Sequence, residues 1–233
     1  MRSLDHLVNR LIRNFVTEVV EHARQVGDPE VGSRLSGLLT KLFPRVPENW
    51  VRYARSLRTW SDEERVLITL EKAALGTSDN PEILQEMVGS NLRLGRVGDA
   101  RALLERFKSD VGGWSDLALA RICAQERDWE ASQDALNSAL DKVLPEDRPD
   151  FMISGGVLLA LTAERRALAT EMLEMALGEK EDLFARVLLA VLLKDTAPIA
   201  SESHLAVARS LWGGSDSAFL QYVTDMGWSD SKS

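Results

Sequence analysis

Residues 81–109, PEILQEMVGSNLRLGRVGDARALLERFKS, decide how the chain is read. Asn80-Pro81-Glu82 pairs a capping residue with a proline that loses nothing in a first helical turn, so a helix is expected to begin there. The stretch is one of a series. Ala73, Phe107, Ala139, Ala176 and Ala208 each fall near the end of an expected helix, 34, 32, 37 and 32 residues apart. All but Phe107 are small, and the longest gap contains an insertion, Leu144-Pro145-Glu146-Asp147-Arg148-Pro149. A period of this length marks stacked units, each divided into two helices of about thirteen residues. Ser61-Asp62-Glu63-Glu64 has the serine and glutamate of a capping box, which places another helix start. No run alternates polar with β-branched residues, so no sheet is expected.

Outward from the repeats, Leu4, Leu7, Val8, Leu11, Ile12, Phe15, Val16, Val19, Val20 and Ala23 recur at three- and four-residue steps, the mark of an amphipathic helix. Gly27 suits its left-handed end, and Asp28-Pro29-Glu30 opens a second helix. That second helix runs to Pro44 with Leu35, Leu38, Leu39, Leu42 and Phe43 expected inward. Ser215 to Met226 is expected to form a closing helix, with Phe219, Leu220, Tyr222 and Val223 covering the last repeat, and Trp228 to Ser233 to fray. The domain reading is therefore a helical hairpin over 1–45, repeats over 46–212 in about five helix pairs, and a cap with its tail over 213–233.

The units resemble the tetratricopeptide repeat. In the best one, Leu92-Arg93-Leu94-Gly95-Arg96 looks like the family's glycine turn, and Asp99-Ala100-Arg101-Ala102-Leu103-Leu104-Glu105 carries its small residue on the second helix. The unit before it has Trp50 at the first aromatic position, Ala54 at the helix contact and Ala73 at the closing alanine. The unit after it has Ala120, Ser132 and Ala139 at the three small positions and Trp129 at the aromatic one. Two helices cross at close range only where a side chain is nearly absent, so a leucine at such a position costs about 1–3 kcal/mol. Residues 150–178, with Gly156, Ala169 and Ala176, match less well, and 181–211 match poorly. The resemblance covers about 165 residues and implies an all-α solenoid of stacked antiparallel helix pairs in a right-handed superhelix.

Composition narrows the function classes. The 233 residues are 45% hydrophobic, enough for a core, and 36 acidic against 28 basic residues give a net charge of −8. That balance argues against nucleic acid as a partner, because phosphate contact needs surplus Lys and Arg. The first 60 residues run the other way, with ten Lys/Arg against six Asp/Glu, either a basic interaction face or a solvated helix face. Cys123 has no second cysteine to bond, which excludes a disulfide scaffold. Asp5, Asn9, Arg10 and Arg13 interrupt any leader-like apolar run, and Val187 to Leu193 ends at Lys194 and Asp195, too short to span a bilayer. A cytoplasmic protein is expected.

Chemistry-bearing groups are sparse. His6 and His22 lie on the first helix and His204 is remote, and all three are expected to face solvent. Cys123, between Ile122 and Ala124, reads as a small buried hydrophobe. No CxxC, HxxxH or HExxH spacing is present, so no metal and no other cofactor is expected. Gly112-Gly113, Gly155-Gly156 and Gly213-Gly214 lack the Lys-Ser/Thr of a phosphate loop and read as helix breaks. Glu179-Lys180-Glu181-Asp182 reads as a solvated turn. Of the six tryptophans, Trp50 and Trp129 are expected in the core, whereas Trp60, Trp114 and Trp212 sit at helix ends and are candidates to anchor a partner.

The family register implies that the first helix of each unit lines a concave groove, with Arg55, Arg58, Arg93 and Arg121 pointing into it beside Gln85 and Gln125. Planar guanidinium forks suit carboxylates. Family members that grip a C-terminal carboxylate use paired lysines and asparagines. Here Val51, Arg55, Gln85, Gly89 and Arg121 stand instead, so that clamp is not expected. The implied function is a non-enzymatic scaffold, adaptor or chaperone-like module that holds an acidic or helical protein segment; the arginines either bind it or pair with neighbouring carboxylates. Bacterial secretion chaperones of the repeat type have a similar plan, with an N-terminal helical segment and an acidic pI. The alternatives are a subunit of a larger assembly, a homodimer through the first helix, and, less favoured by the charge, a helical-repeat DNA-repair enzyme.

Overall fold

The computed structural model describes residues 29–58, 62–77, 80–106 and 113–226. All regular elements there are helical. The helices are α1 Pro29–Leu42, α2 Pro47–Arg58, α3 Glu63–Thr77, α4 Pro81–Arg93, α5 Val97–Arg106, α6 Trp114–Gln125, α7 Trp129–Lys142, α8 Arg148–Ala160, α9 Arg166–Glu179, α10 Leu183–Leu193, α11 Pro198–Leu211 and α12 Asp216–Asp225, with 3-10 turns at Pro145–Asp147 and Ala163–Arg165. The amphipathic segment expected over residues 4–23, Ser61, Trp60, Phe107, His6, His22 and the tail from Trp228 lie outside the described residues.

The chain divides into two compact units, residues 1–110 with 125–127, and residues 111–124 with 128–233. In the first, α1 packs on α2, α2 on α3 and on α4, α3 on α4, and α4 on α5. Their shared core holds Val51, Ala54, Leu57, Val66, Leu70, Ala73 and Ile83. Ala54 and Ala73, both fully buried, are where the α2–α3 hairpin closes, as their small size predicts. Asn80 caps α4, its side-chain oxygen accepting from Glu82 N and Ile83 N at 3.0 and 3.3 Å. At α3 the cap differs from expectation, for Asp62 Oδ1 accepts from Arg65 N at 2.8 Å.

Helix α1 departs from its predicted face. Leu39 is buried, but Leu38 and Leu42 are 44% and 52% exposed, and Leu35 and Phe43 are half-buried. The face turned inward carries Ser33, Ser36 and Thr40. Ser36 Oγ donates to the Gly32 carbonyl and Thr40 Oγ1 to the Gly37 carbonyl, both at 2.8 Å, so these hydroxyls bring their own partners into the interface. Gly37 lets α1 and α2 approach closely: a Cβ there would lie 3.1 Å from the Tyr53 ring.

In the second unit α8 packs on α7, α9 and α10, and α10 on α9 and α11. Leu117, Ala120, Ala135, Leu136, Ala139, Leu159 and Ala169 form one cluster, and Leu173, Ala185 and Leu189 another. Gly155 and Gly156 are not a break; they lie inside α8. A Cβ on Gly156 would meet Leu173 Cγ at 2.6 Å, and one on Gly155 would meet Met172 Sδ at 2.6 Å, so the pair admits α9 to close range. Residues 181–211, the poorest match in sequence, form a hairpin held by the device of the better one. Ser201 Oγ donates to the Ala190 carbonyl at 2.6 Å, as Ser132 Oγ does to the Ala120 carbonyl at 2.8 Å.

The closing helix α12 is capped by Ser215 and buries Phe219 and Val223 against Val187 and Ala208. Leu220, expected to help, is 54% exposed. Trp212 packs on this end, its ring centroid 5.4 Å from Tyr222 and its Nε1 donating to the Ser215 carbonyl at 3.2 Å.

Candidate functional site

The six residues marked by register are taken unit by unit. In the first unit Arg55 and Arg58 lie on α2, and Gln85 and Arg93 on the neighbouring α4. Three of these four belong to a closed ionic network. Arg55 Nε donates to Glu86 Oε1 at 2.6 Å, and Arg58 Nη2 to Glu86 Oε2 at 3.0 Å. Arg58 Nε also lies 3.3 Å from Glu63 Oε2, Arg93 Nη2 donates to Glu63 Oε1 at 2.9 Å, and Ser90 Oγ donates to that oxygen at 2.6 Å. Gly89 leaves room for the Arg93 side chain to fold back along α4, its Cβ position being 3.4 Å from Arg93 Nη1.

The network is ordered from the inside. The carboxylates are its buried members, with side-chain exposures of 14% for Glu63 and 12% for Glu86, whereas Arg55 keeps 65% and Arg93 43%. Burial works against the charge on Glu63, but hydrogen bonds from Arg93 and Ser90 and the charges of Arg58 and Arg93 outweigh it and hold its pKa below the usual carboxylate value. Three guanidinium groups against two carboxylates leave one surplus positive charge. A guanidinium presents five N–H donors, so Arg55 and Arg93 reach Glu86 and Glu63 without exhausting their outward-facing donors.

Gln125 donates from Nε2 to the Leu92 carbonyl at 2.9 Å, which ties its side chain into the frame of the first unit. Gln85 is half-buried on α4. In the second unit, Arg121 on α6 donates from Nη2 to Ser154 Oγ on α8 at 3.1 Å. The signal that could have found Glu63 and Glu86 was present in sequence, as acidic positions at a helix start and one turn into the next helix. Periodicity assigns a residue to a face but not to a partner on another helix, and the pairing was missed for that reason.

Other candidates resolve simply. Cys123 is buried among Ile122 and Ala124 in α6. His204 is half-buried rather than solvent-facing: Arg186 Nη1 lies 3.0 Å from its Nδ1, and burial followed by the Arg186 charge lowers its pKa. Trp50 and Trp129 are half-buried rather than core; Trp50 Nε1 donates to the Pro44 carbonyl at 2.8 Å. Trp114 and Trp212 are half-buried too. The 179–182 turn is exposed at Glu179, Lys180 and Glu181, and Lys180 pairs with Asp150 at 2.6 Å. Among the described residues no three His, Cys, Asp or Glu side chains converge as metal ligands, and no helix is long and apolar enough to cross a membrane.

No family model matches the sequence, and no curated protein does. Solved structures do share its architecture. A thermophilic TPR protein from Thermus thermophilus is 18% identical, with a TM-score of 0.60 over 78% of this chain and 98% of that one. PilW, a type IV pilus biogenesis factor, is 15% identical, with a TM-score of 0.60 over 91% of this chain and 98% of its own. PilF of Pseudomonas aeruginosa is 15% identical, with a TM-score of 0.56 over 91% of this chain and 97% of its own. At these identities the likeness is one of fold, and together with the helix hairpins and their small-residue crossings it gives this chain the tetratricopeptide-repeat fold, an α-solenoid class suited to protein–protein interaction scaffolds.

Proposed function

We propose that the chain is a non-enzymatic interaction module that holds a segment of another protein, with Arg55, Arg58, Gln85 and Arg93 of the first unit on the receiving face and Arg121 contributing in the second. The observation that supports this reading is the arginine-rich network on α2 and α4. Its carboxylates are buried and its guanidinium groups face out, so an incoming carboxylate can add to it without dismantling it. Gln125, spent on the Leu92 carbonyl, serves as a positioning residue in this proposal. The partner is an acidic or helical protein segment, and a cytoplasmic setting is part of the same reading, supported by the single buried cysteine. The organisation into a 1–45 hairpin, repeats over 46–212 and a 213–233 cap belongs to the proposal as well.

The test is site-specific photocrosslinking from position 85 in cells. Heterologous adducts at Gln85 that disappear in Arg55→Ala/Arg93→Ala, while the purified variant melts cooperatively, would support the reading. Crosslinks confined to a second copy of the chain would replace it with the homodimer, and a complete lack of adducts would sink it.

A further inference from the structure

A second surface of the first unit differs in character from the arginine network. A cleft of about 680 Å³ runs beside α1, floored by Leu35, Leu38, Tyr53 and Leu57. Its charged lining is Arg34, Lys41 and Arg65, with no carboxylate among the described residues that line it. Three cations over an apolar floor are unusual in a chain of net charge −8. The lining on α1 runs from Ser33 to Lys41, about 12 Å of helix at 1.5 Å per residue, and recurs at three- and four-residue steps. Such a trough matches the ridge of another helix two to three turns long.

The leucines that border it are turned away from the fold. Because α1 packs through its serine and threonine face, Val31, Leu38 and Leu42 lie on its exposed side. Gly37 keeps the floor in shape, since its missing side chain is what lets the Tyr53 ring lie against α1.

We propose that this cleft docks an acidic amphipathic helix of a partner protein, its apolar residues set on Leu35, Leu38 and Tyr53 and its carboxylates meeting Lys41 and Arg65. Charge complementarity selects the occupant: a basic helix would bring cations against three cations, and a neutral apolar one would leave the rim unused. The inference rests on the reading of the chain as an interaction module, but not on the arginine network, which is a separate surface.

The probe is a fluorescein-labelled peptide of about 16 residues with leucines at i, i+3 and i+7 flanked by glutamates, titrated with the full chain and followed by anisotropy at low salt. Saturable binding is expected, at least tenfold weaker in Leu38→Glu and in Lys41→Glu/Arg65→Glu, and undetectable for the same peptide with lysines in place of glutamates. Leu38, Lys41 and Arg65 are exposed, so these variants should keep the parent's helicity and melting, and both are measured alongside. Arg55→Ala/Arg93→Ala should bind the peptide as the parent does; loss there instead would move the site to the arginine network and overturn the cleft while sparing the interaction module. Equal binding of acidic and basic peptides, or no binding, would overturn the proposal. So would a concentration-dependent dimer abolished by Leu38→Glu, which would make the occupant a second copy.

Discussion

Two glycines of the second unit show how one residue type takes opposite signs. Gly156 faces Leu173, which is fully buried, and a Cβ would sit 2.6 Å from Leu173 Cγ. Gly178, in the last turn of α9, has nothing within 4 Å of its Cβ position. Alanine gains about 1 kcal/mol of helix propensity over glycine at either site, but at 156 overpacking costs about 1–3 kcal/mol. Chemical denaturation should therefore find Gly156→Ala destabilised and Gly178→Ala stabilised, and equal shifts would refute the close approach. A parallel argument applies to turns. Gly95 takes φ +70° between α4 and α5, where Arg96 N donates to the Asn91 carbonyl at 2.8 Å. Arg127 takes φ +64° between α6 and α7, where Asp128 N donates to the Cys123 carbonyl at 2.9 Å, so an arginine stands in the glycine position. Arg127→Gly should add about 0.5–1 kcal/mol, read as a rise in Tm, and a fall would show that the Arg127 side chain contributes more than its backbone strain costs.

At the scale of elements, the sequence carried the hairpins further than their faces. Ala54, Ala73, Ala120 and Ala139 were legible because a helix crossing tolerates nothing larger, and each is buried. The third and fourth hairpins were obscured by Gly155-Gly156, since paired glycines depress helix propensity and only the arrival of α9 explains them. The face of α1 was misread because serine and threonine count as polar in any periodicity, whereas Ser36 and Thr40 satisfy themselves on their own helix. The arginines of α2 and α4 were placed on a common face correctly, but their pairing with Glu63 and Glu86 depends on how α2, α3 and α4 meet. That pairing has a pH signature. Glu63 has its pKa lowered on folding, so its contribution is fully present above the ordinary value of 4.5 and is lost as pH falls through the folded value. Near neutrality Glu63→Gln should cost about 1–2 kcal/mol, moderated by the exposure of Arg93. Thermal melts from about pH 7 to pH 3 should show the gap between parent and variant closing with acidification. A gap that stayed constant would mean Glu63 acts by packing alone.

Across the whole molecule, the division into two compact units makes a claim about cooperativity. The first unit is organised around Val66, Leu70 and Ile83, the second around Leu136, Leu173 and Leu189, all of them essentially inaccessible to solvent. In a repeat fold stability is close to a sum of local terms and nearest-neighbour terms, so damage to one hairpin is felt first by the helices that pack on it. Leu70→Ala and Leu189→Ala each remove a buried leucine and should cost about 2–5 kcal/mol at the site. Hydrogen exchange read peptide by peptide should then show protection falling in α2, α3 and α4 for Leu70→Ala while α8, α9 and α10 hold theirs, and the reverse for Leu189→Ala. If either substitution lowered protection evenly from α2 to α12, the chain would unfold as one body, and the network on α2 and α4 could not be retuned without disturbing the second unit. If the losses stay local, the first unit is free to adapt its binding surfaces on a scaffold whose other half keeps its own core.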